Sequence, residues 1–116
     1  MRHRKNRGKL GRKADHRKAL LRNLATSFAL HGKLTTTVTK ARALIAYYER
    51  LITLAKRADN MNAIRMIQRH LFTIEAQKAF IEQVKGLDGK NSGYLRLTKL
   101  GYRDGDVAHI AQVELS

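Results

Sequence analysis

The chain is short and strongly basic, with 116 residues, a net charge of +15 and no Cys, Pro or Trp. The absence of Cys excludes disulfides and thiolate metal sites, and no apolar run approaches the roughly 20 residues that a membrane-spanning helix needs. Residues 1–58 hold 16 basic and 2 acidic side chains, whereas residues 59–116 hold 8 and 7. We therefore expect a cytoplasmic protein whose first half binds a polyanion.

The first 14 residues form a separate basic segment, in which Leu10 is the only large aliphatic side chain besides Met1. Such a segment cannot bury enough apolar surface to offset an ordering cost of about 1–2 kcal/mol per residue. We expect residues 1–14 to form an extended basic tail that becomes ordered on an anionic partner. Residues 15–116 are expected to form a single globular domain.

Hydrophobic periodicity predicts two helices and a strand in the first half of that domain. A helix capped by Asp15 runs to His31, a strand rich in β-branched residues covers 34–39, and a second helix covers 40–58. Thr39 lies where it can cap the second helix. The apolar stripe of this helix contains Tyr48, which we expect in the core.

Two further helices and a hairpin complete the domain. The third helix begins at Asp59 or Asn60, the fourth covers residues 73–85, and a Gly-rich loop follows. Their inward-facing residues are predicted to be Ile64, Ile67, Leu71, Ile74, Phe80, Ile81 and Val84. Alternating residues then predict strands over 94–100 and 107–115 that form a β-hairpin. The expected fold class is α+β, with about four helices packed on a small sheet that contains this C-terminal hairpin.

Residues suited to catalysis are present but are not arranged for it. Glu75 and Glu82 each precede a Lys by three residues, which favours solvent-exposed ion pairs on a helix. Asp104 and Asp106 flank a glycine and fit a turn. The five His residues lack the spacing of metal ligands. We therefore expect no enzymatic activity, no cofactor, no metal and no small-molecule substrate.

Folded RNA is the polyanion that the pattern favours. The tail lacks the apolar anchors that a membrane surface requires, and no helix shows the residues of a DNA-recognition helix. Tyr94 and Tyr102 lie beside Arg96 and Arg103, where they either stack on bases or pack within the sheet. A free DNA-compacting protein and an RNA-processing enzyme remain as alternatives.

Three segments resemble one known family: the opening MRHRKNRGKLGRKADHRKALLRNLA, the segment HGKLTTTVTKARAL, and GYLRLTKLGYRDGDVA near the end. They resemble bacterial large-subunit ribosomal protein number seventeen, and the resemblance covers essentially the whole chain. The segment VKGLDGKNSGY departs from the family pattern, which usually carries a Pro and a Gly-Gly pair there. The resemblance implies a structural constituent of the large ribosomal subunit that staples ribosomal RNA, near the polypeptide exit tunnel and beside other ribosomal proteins.

The expected RNA-binding residues come from two sources. Charge and aromatic character select Arg2, His3, Arg4, Lys5, Arg7, Lys9, Arg12, Lys13, His16, Arg17, Lys18, Arg22, Tyr94, Arg96 and Arg103. The resemblance adds Asn23, Thr36, Thr37, Lys40 and Lys99 as motif positions of the family. Deletion of residues 2–14 is expected to remove most of the RNA affinity while leaving the helical domain folded.

Overall fold

The described part of the chain folds into four helices and a three-stranded sheet, which confirms the predicted α+β class. A computed structural model describes residues 14–57, 60–87, 89 and 92–116, so the predicted tail lies outside the described residues except for its last position. The elements are α1 (Ala14–His31), β1 (Lys33–Thr37), α2 (Val38–Arg57), α3 (Asn60–His70), α4 (Ile74–Gly86), β2 (Leu95–Tyr102) and β3 (His109–Leu115).

Local chemistry explains where several elements begin and end. Gly32 stops α1 because its φ of +73° is left-handed, and its N–H donates to the Phe28 carbonyl oxygen at 2.7 Å. Thr73 caps α4, since its hydroxyl accepts from the Ala76 N–H at 3.2 Å. The cap predicted at Thr39 is wrong, because α2 begins one residue earlier, at Val38, and Thr39 lies inside its first turn.

The sheet has the order β1-β3-β2, and both pairings are antiparallel. The predicted hairpin is therefore confirmed as β2–β3, and β3 is the central strand. A bulge between Lys99 and Gly101 interrupts the hairpin, where Gly101 adopts a φ of +121°. After this bulge, a turn connects Tyr102 at the end of β2 to His109 at the start of β3, and it contains Arg103 and Asp106.

The core lies between α2 and the elements around it. Tyr48 is fully buried, as predicted, and its ring makes edge-on contacts with Phe28 of α1 and Phe80 of α4. Its hydroxyl donates to Gln83 Oε1 at 2.5 Å, and Gln83 Nε2 donates to the Ala29 carbonyl oxygen at 3.1 Å. The buried polar atoms of this aromatic cluster are thus paired, and α1, α2 and α4 are fixed together.

Two inward-facing assignments from the sequence are wrong. Ile64 is 47% exposed, because burial begins only near the C-terminal end of α3, at Ile67, and continues at Leu71 just after the helix. Ile74, the first residue of α4, is 65% exposed, because it lies about 160° around the helix from the buried Ala76. Periodicity defines the apolar face of a helix but not the length over which another element covers that face.

Candidate nucleic-acid interface

The first turns of α1 carry five of the predicted RNA-binding residues. His16, Lys18 and Asn23 are exposed, and Arg17 and Arg22 are partly exposed. Residues 14–57 contain nine basic and two acidic side chains. One of those acids, Glu49, is engaged elsewhere, since its Oε1 accepts from the Leu95 N–H at 3.1 Å. The predicted residues at positions 2–13 lie outside the part of the chain that the structure describes.

A Tyr–His pair joins α2 to α3 beside Arg22. The Tyr47 hydroxyl and His70 Nδ1 are 2.5 Å apart, and their rings meet edge-on with centroids 5.6 Å apart. Burial raises the pKa of Tyr47, and a hydrogen bond from the Arg22 guanidinium partly opposes that rise. Burial also lowers the pKa of His70, and the charges of Arg22, Arg69 and Arg50 lower it further. Sequence reasoning selected only Arg22 from this group.

The structure places two predicted residues, Thr36 of β1 and Arg103 beyond β2, around one open cavity. This cavity has a volume of about 470 Å³ and is lined on one side by Tyr102 and Gly101. Tyr102 is 68% exposed and stacks on His109, with ring centroids 4.8 Å apart and planes 21° apart. The hydroxyl, guanidinium and exposed aromatic ring are the groups that single-stranded RNA can bind. For Tyr102, stacking on an RNA base therefore stays a prediction that its exposure allows.

Arg103 is held in place by the hairpin turn. Its Nε and one terminal nitrogen donate to the two carboxylate oxygens of Asp106, at 3.1 and 2.5 Å. This hydrogen-bonded guanidinium, with the Ala108 N–H, lowers the pKa of Asp106 to about 2. Asp106 therefore acts as a turn residue, as the sequence suggested, and it also orients the Arg103 side chain.

Arg96 and Lys99 of β2 differ in their surroundings. Arg96 lies 3.3 Å from Glu114 on β3, and Lys33 of β1 lies 3.9 Å from the same carboxylate. Lys99 is exposed and is paired in register with Ala111. The charge of Arg96 is thus partly balanced across the sheet, whereas Lys99 carries its charge into solvent. At the opposite edge of the sheet from β2, Thr37 and Lys40 lie at the β1–α2 junction.

Tyr94 is not available for stacking on a base. It is only 2% exposed, and Lys56 Nζ lies 4.7 Å from the centre of its ring. Lys56 Nζ also donates to the Leu87 carbonyl oxygen at 2.5 Å, so Lys56 connects the ring to the residue that follows α4. Of the two interpretations left open by the sequence, packing is the correct one for Tyr94, and its inclusion as an RNA-stacking residue is corrected.

The described residues contain a second cavity, which lies among the helices. An open apolar cavity of about 410 Å³ lies between α2, α3 and α4 and includes Ile64, Ile67 and Val84 in its lining. Within the described ranges, no three His, Asp or Glu side chains lie close enough to hold a metal ion. None of the helices in those ranges is long and apolar enough to cross a bilayer.

Comparisons with known proteins agree on one family. A family model described as ribosomal protein L17 matches residues 20–116. The chain is 43% identical to the large ribosomal subunit protein bL17 of Novosphingobium aromaticivorans over 115 residues, which cover 99% of this chain and 82% of the relative. It is 46% identical to the bL17 protein of Clostridium acetobutylicum over 110 residues, covering 92% and 94% of the two chains. The bL17 protein of Akkermansia muciniphila is 42% identical over 116 residues, covering 99% and 85%.

Proposed function

The chain belongs to the ribosomal protein L17 family, and from that premise we propose that it binds and staples ribosomal RNA in the large subunit, near the polypeptide exit tunnel. Membership confirms the resemblance stated from the sequence motifs. It also confirms a structural ribosomal role rather than an enzymatic one, and a location in the ribosome of the cytoplasm. The partners that follow from this role are large-subunit ribosomal RNA and neighbouring ribosomal proteins.

The observation that carries RNA binding is the charge of the first three elements. Residues 14–57 carry nine basic and two acidic side chains, and residues 1–13 add seven basic side chains and no acid. Lys and Arg that approach phosphates release condensed counterions, which supplies affinity without reading sequence. The globular domain then sets the orientation of the basic segment, and the fold of the RNA provides selectivity.

Binding of this kind depends steeply on salt. If about eight phosphates are contacted, the logarithm of the association constant should fall with the logarithm of salt concentration with a slope of about −6 to −7. Filter binding of the full-length protein to a folded large-subunit RNA fragment over a series of KCl concentrations measures this slope. A slope near zero would contradict an interface built on phosphates.

The alternative function, free DNA compaction, makes a different prediction. A DNA-compacting protein binds any duplex with similar affinity, whereas a large-subunit component prefers the folded RNA and sediments with large subunits after a moderate salt wash. A competition experiment with a DNA duplex of matched length and charge distinguishes the two. Equal competition by DNA would favour the alternative, and cross-linking to a nascent chain on stalled ribosomes tests the location near the exit tunnel.

The tail provides the most direct test of which residues bind. Deletion of residues 2–14 is expected to preserve the circular dichroism spectrum of the helical domain and to remove most of the RNA affinity. A full-length variant in which the seven basic residues of positions 2–13 are replaced by Gln is the matched control for length. Affinity close to that of the wild type in both variants would overturn the assignment of binding to the tail.

A further inference from the structure

We propose that the stacked rings of Tyr102 and His109, at the hairpin end of the sheet, form a platform on which one unpaired base of ribosomal RNA stacks. The proposal rests on the function proposed above and assigns a specific contact within it. This platform lies far in sequence from the basic tail, and sequence reasoning did not select His109. Because the contact is to a base and not to a phosphate, it can be measured separately from the charge of the tail.

The two rings belong to the last residue pair of the hairpin. Tyr102 ends β2, His109 begins β3, and the two residues are paired in register. Their ring centroids are 4.8 Å apart and their planes are inclined by only 21°, which is a stacked arrangement. Tyr102 is nevertheless 68% exposed. A stacked neighbour covers one face of a ring, so the exposure of Tyr102 leaves its other face open to a further planar group.

The bulge in β2 places Tyr102 on the same face of the sheet as Lys99. Lys99 pairs with Ala111. Tyr102 pairs with His109, so three steps along β2 correspond to two steps along β3. Residues three apart in an undistorted strand point to opposite faces, but the bulge at Gly101, with φ +121°, takes up the extra step. Tyr102 and the exposed Lys99 therefore share one face.

Hydrogen bonds brace the turn between the two rings. The Arg103 N–H donates to the Ala108 carbonyl oxygen at 2.7 Å, and the Val107 N–H donates to the Arg103 carbonyl oxygen at 3.0 Å. The Arg103 guanidinium donates to both carboxylate oxygens of Asp106, one of which also accepts from the Ala108 N–H at 3.2 Å. These bonds fix the strand ends that carry the rings. A platform that is ordered before RNA arrives loses little conformational entropy on binding.

The charges at this end of the sheet favour an RNA strand over a protein segment as the occupant. The β1–α2 junction lies at the same end as the hairpin turn, because the last residue of β1 pairs with Ile110, the second residue of β3. That junction adds Lys40 to Lys99. Of the two acids in the turn, Asp106 is held by a guanidinium, which leaves Asp104 against two lysines. A nucleotide supplies both a planar base for the rings and a phosphate for these lysines.

The first test removes the outer ring from the full-length protein. Tyr102→Ala is expected to bind a folded large-subunit RNA fragment about tenfold more weakly, because base–aromatic stacking is lost. The salt slope should stay at the wild-type value, since no charge is removed. Tyr102→Phe keeps the ring and should bind within about twofold of the wild type. The matched control is Phe72→Ala, which removes a ring that is 52% exposed between α3 and α4 and should also stay within about twofold.

His109 is tested through its support of the Tyr102 ring. His109→Ala removes the stacked neighbour, so the affinity should fall about threefold, whereas His109→Phe keeps a ring there and should stay close to the wild type. Circular dichroism melting of all five variants verifies that each is folded.

A fluorescent ring reports the contact directly, since the chain contains no Trp. Tyr102→Trp should keep the affinity, and its emission should be quenched when the folded RNA fragment is added, because a base stacks on the indole. Phe72→Trp is the control and should keep its emission. Both measurements use the same RNA at the same salt concentration.

The outcomes separate the platform from the general function. If the wild type prefers folded RNA but Tyr102→Ala binds like Phe72→Ala and Tyr102→Trp is not quenched, the platform is refuted and RNA binding stands. If the emission of Tyr102→Trp changes only when the protein enters large subunits that contain the other ribosomal proteins, a protein surface covers the rings and the proposal is wrong. If the wild type itself shows no preference for folded RNA, the proposed function fails instead.

Discussion

The titration of His70, which contacts Tyr47, makes the free energy of unfolding depend on pH. Burial and the charges of Arg22, Arg69 and Arg50 lower the pKa of His70 in the folded state, whereas an unfolded His has a pKa of about 6.5. Below about pH 6.5 the unfolded chain therefore binds more protons than the folded chain at this position. The free energy of unfolding must fall as the pH drops from about 6.5 through the folded pKa.

The corresponding prediction concerns the variant His70→Gln. Between pH 7 and pH 5, the wild type should lose stability to urea, and His70→Gln should lose less over the same interval because the titrating group is gone. The variant His31→Gln, at an exposed position at the end of α1, is the control and should follow the wild type. Parallel loss in the wild type and in His70→Gln would show that His70 does not cause the pH dependence.

Single residues also show where sequence reasoning stops. Tyr48 could be assigned to the core because it lies in the middle of a long apolar stripe. Tyr94 could not be assigned, because the alternation over 94–100 does not decide which of its residues another element covers, and Lys56, which lies over the Tyr94 ring, is 38 positions earlier. His70 gave no signal at all, since its partner Tyr47 is 23 positions away.

At the scale of elements, the start of α4 depends on the residue that precedes it. Thr73 precedes the helix with extended backbone angles, φ −115° and ψ 152°, and its hydroxyl accepts from the Ala76 N–H. Without that oxygen, one N–H at the start of the helix loses its acceptor.

Thr73→Ala is therefore predicted to lower the free energy of unfolding by about 1 kcal/mol. Thr53→Ala is the matched control, because the Thr53 hydroxyl donates to the Glu49 carbonyl oxygen inside α2 and Ala is the better helix former. That control should change stability by less than about 0.5 kcal/mol. Urea denaturation measures both, and equal losses at the two positions would contradict the capping role of Thr73.

The sequence predicted which segments form helices and strands, but it did not predict how much of each apolar face a neighbouring element buries. The 3.6-residue and two-residue periods located all four helices and the hairpin, because each element must bury one face. The covered part of each face depends on the neighbouring elements, which explains the exposure of Ile64 and Ile74. The order β1-β3-β2 likewise depends on the pairing of β1 with β3, which strand patterns alone do not specify.

At the scale of the whole molecule, a net charge of +15 on 116 residues has opposite effects on folding and on binding. Mutual repulsion destabilises the compact free protein, and salt screens that repulsion. Salt also weakens the attraction to phosphates.

We therefore expect the free protein to become more resistant to urea between about 0.05 and 0.3 M KCl while its affinity for RNA falls. The same urea series on the variant with seven basic tail residues replaced by Gln should show a smaller gain, because less charge remains to be screened. Stability that decreases with salt in the wild type would mean that attractive ion pairs dominate the free protein.

The uneven distribution of charge was visible in the sequence and sufficed to predict a polyanion partner. The positions of the charges in space were not visible, since Arg22, Arg50 and Arg69, which lower the pKa of His70, lie on three different helices. The role of the tail in binding stays a prediction.

The central position of β3 has a consequence for biosynthesis. A ribosome adds amino acids from the first to the last, so β1 emerges long before β3, and β2 before its own neighbour. Neither outer strand has a hydrogen-bonding edge to join until the last of the three has been translated. The nascent polypeptide therefore cannot complete its sheet stepwise, and both outer strands can pair only after β3 has been synthesised.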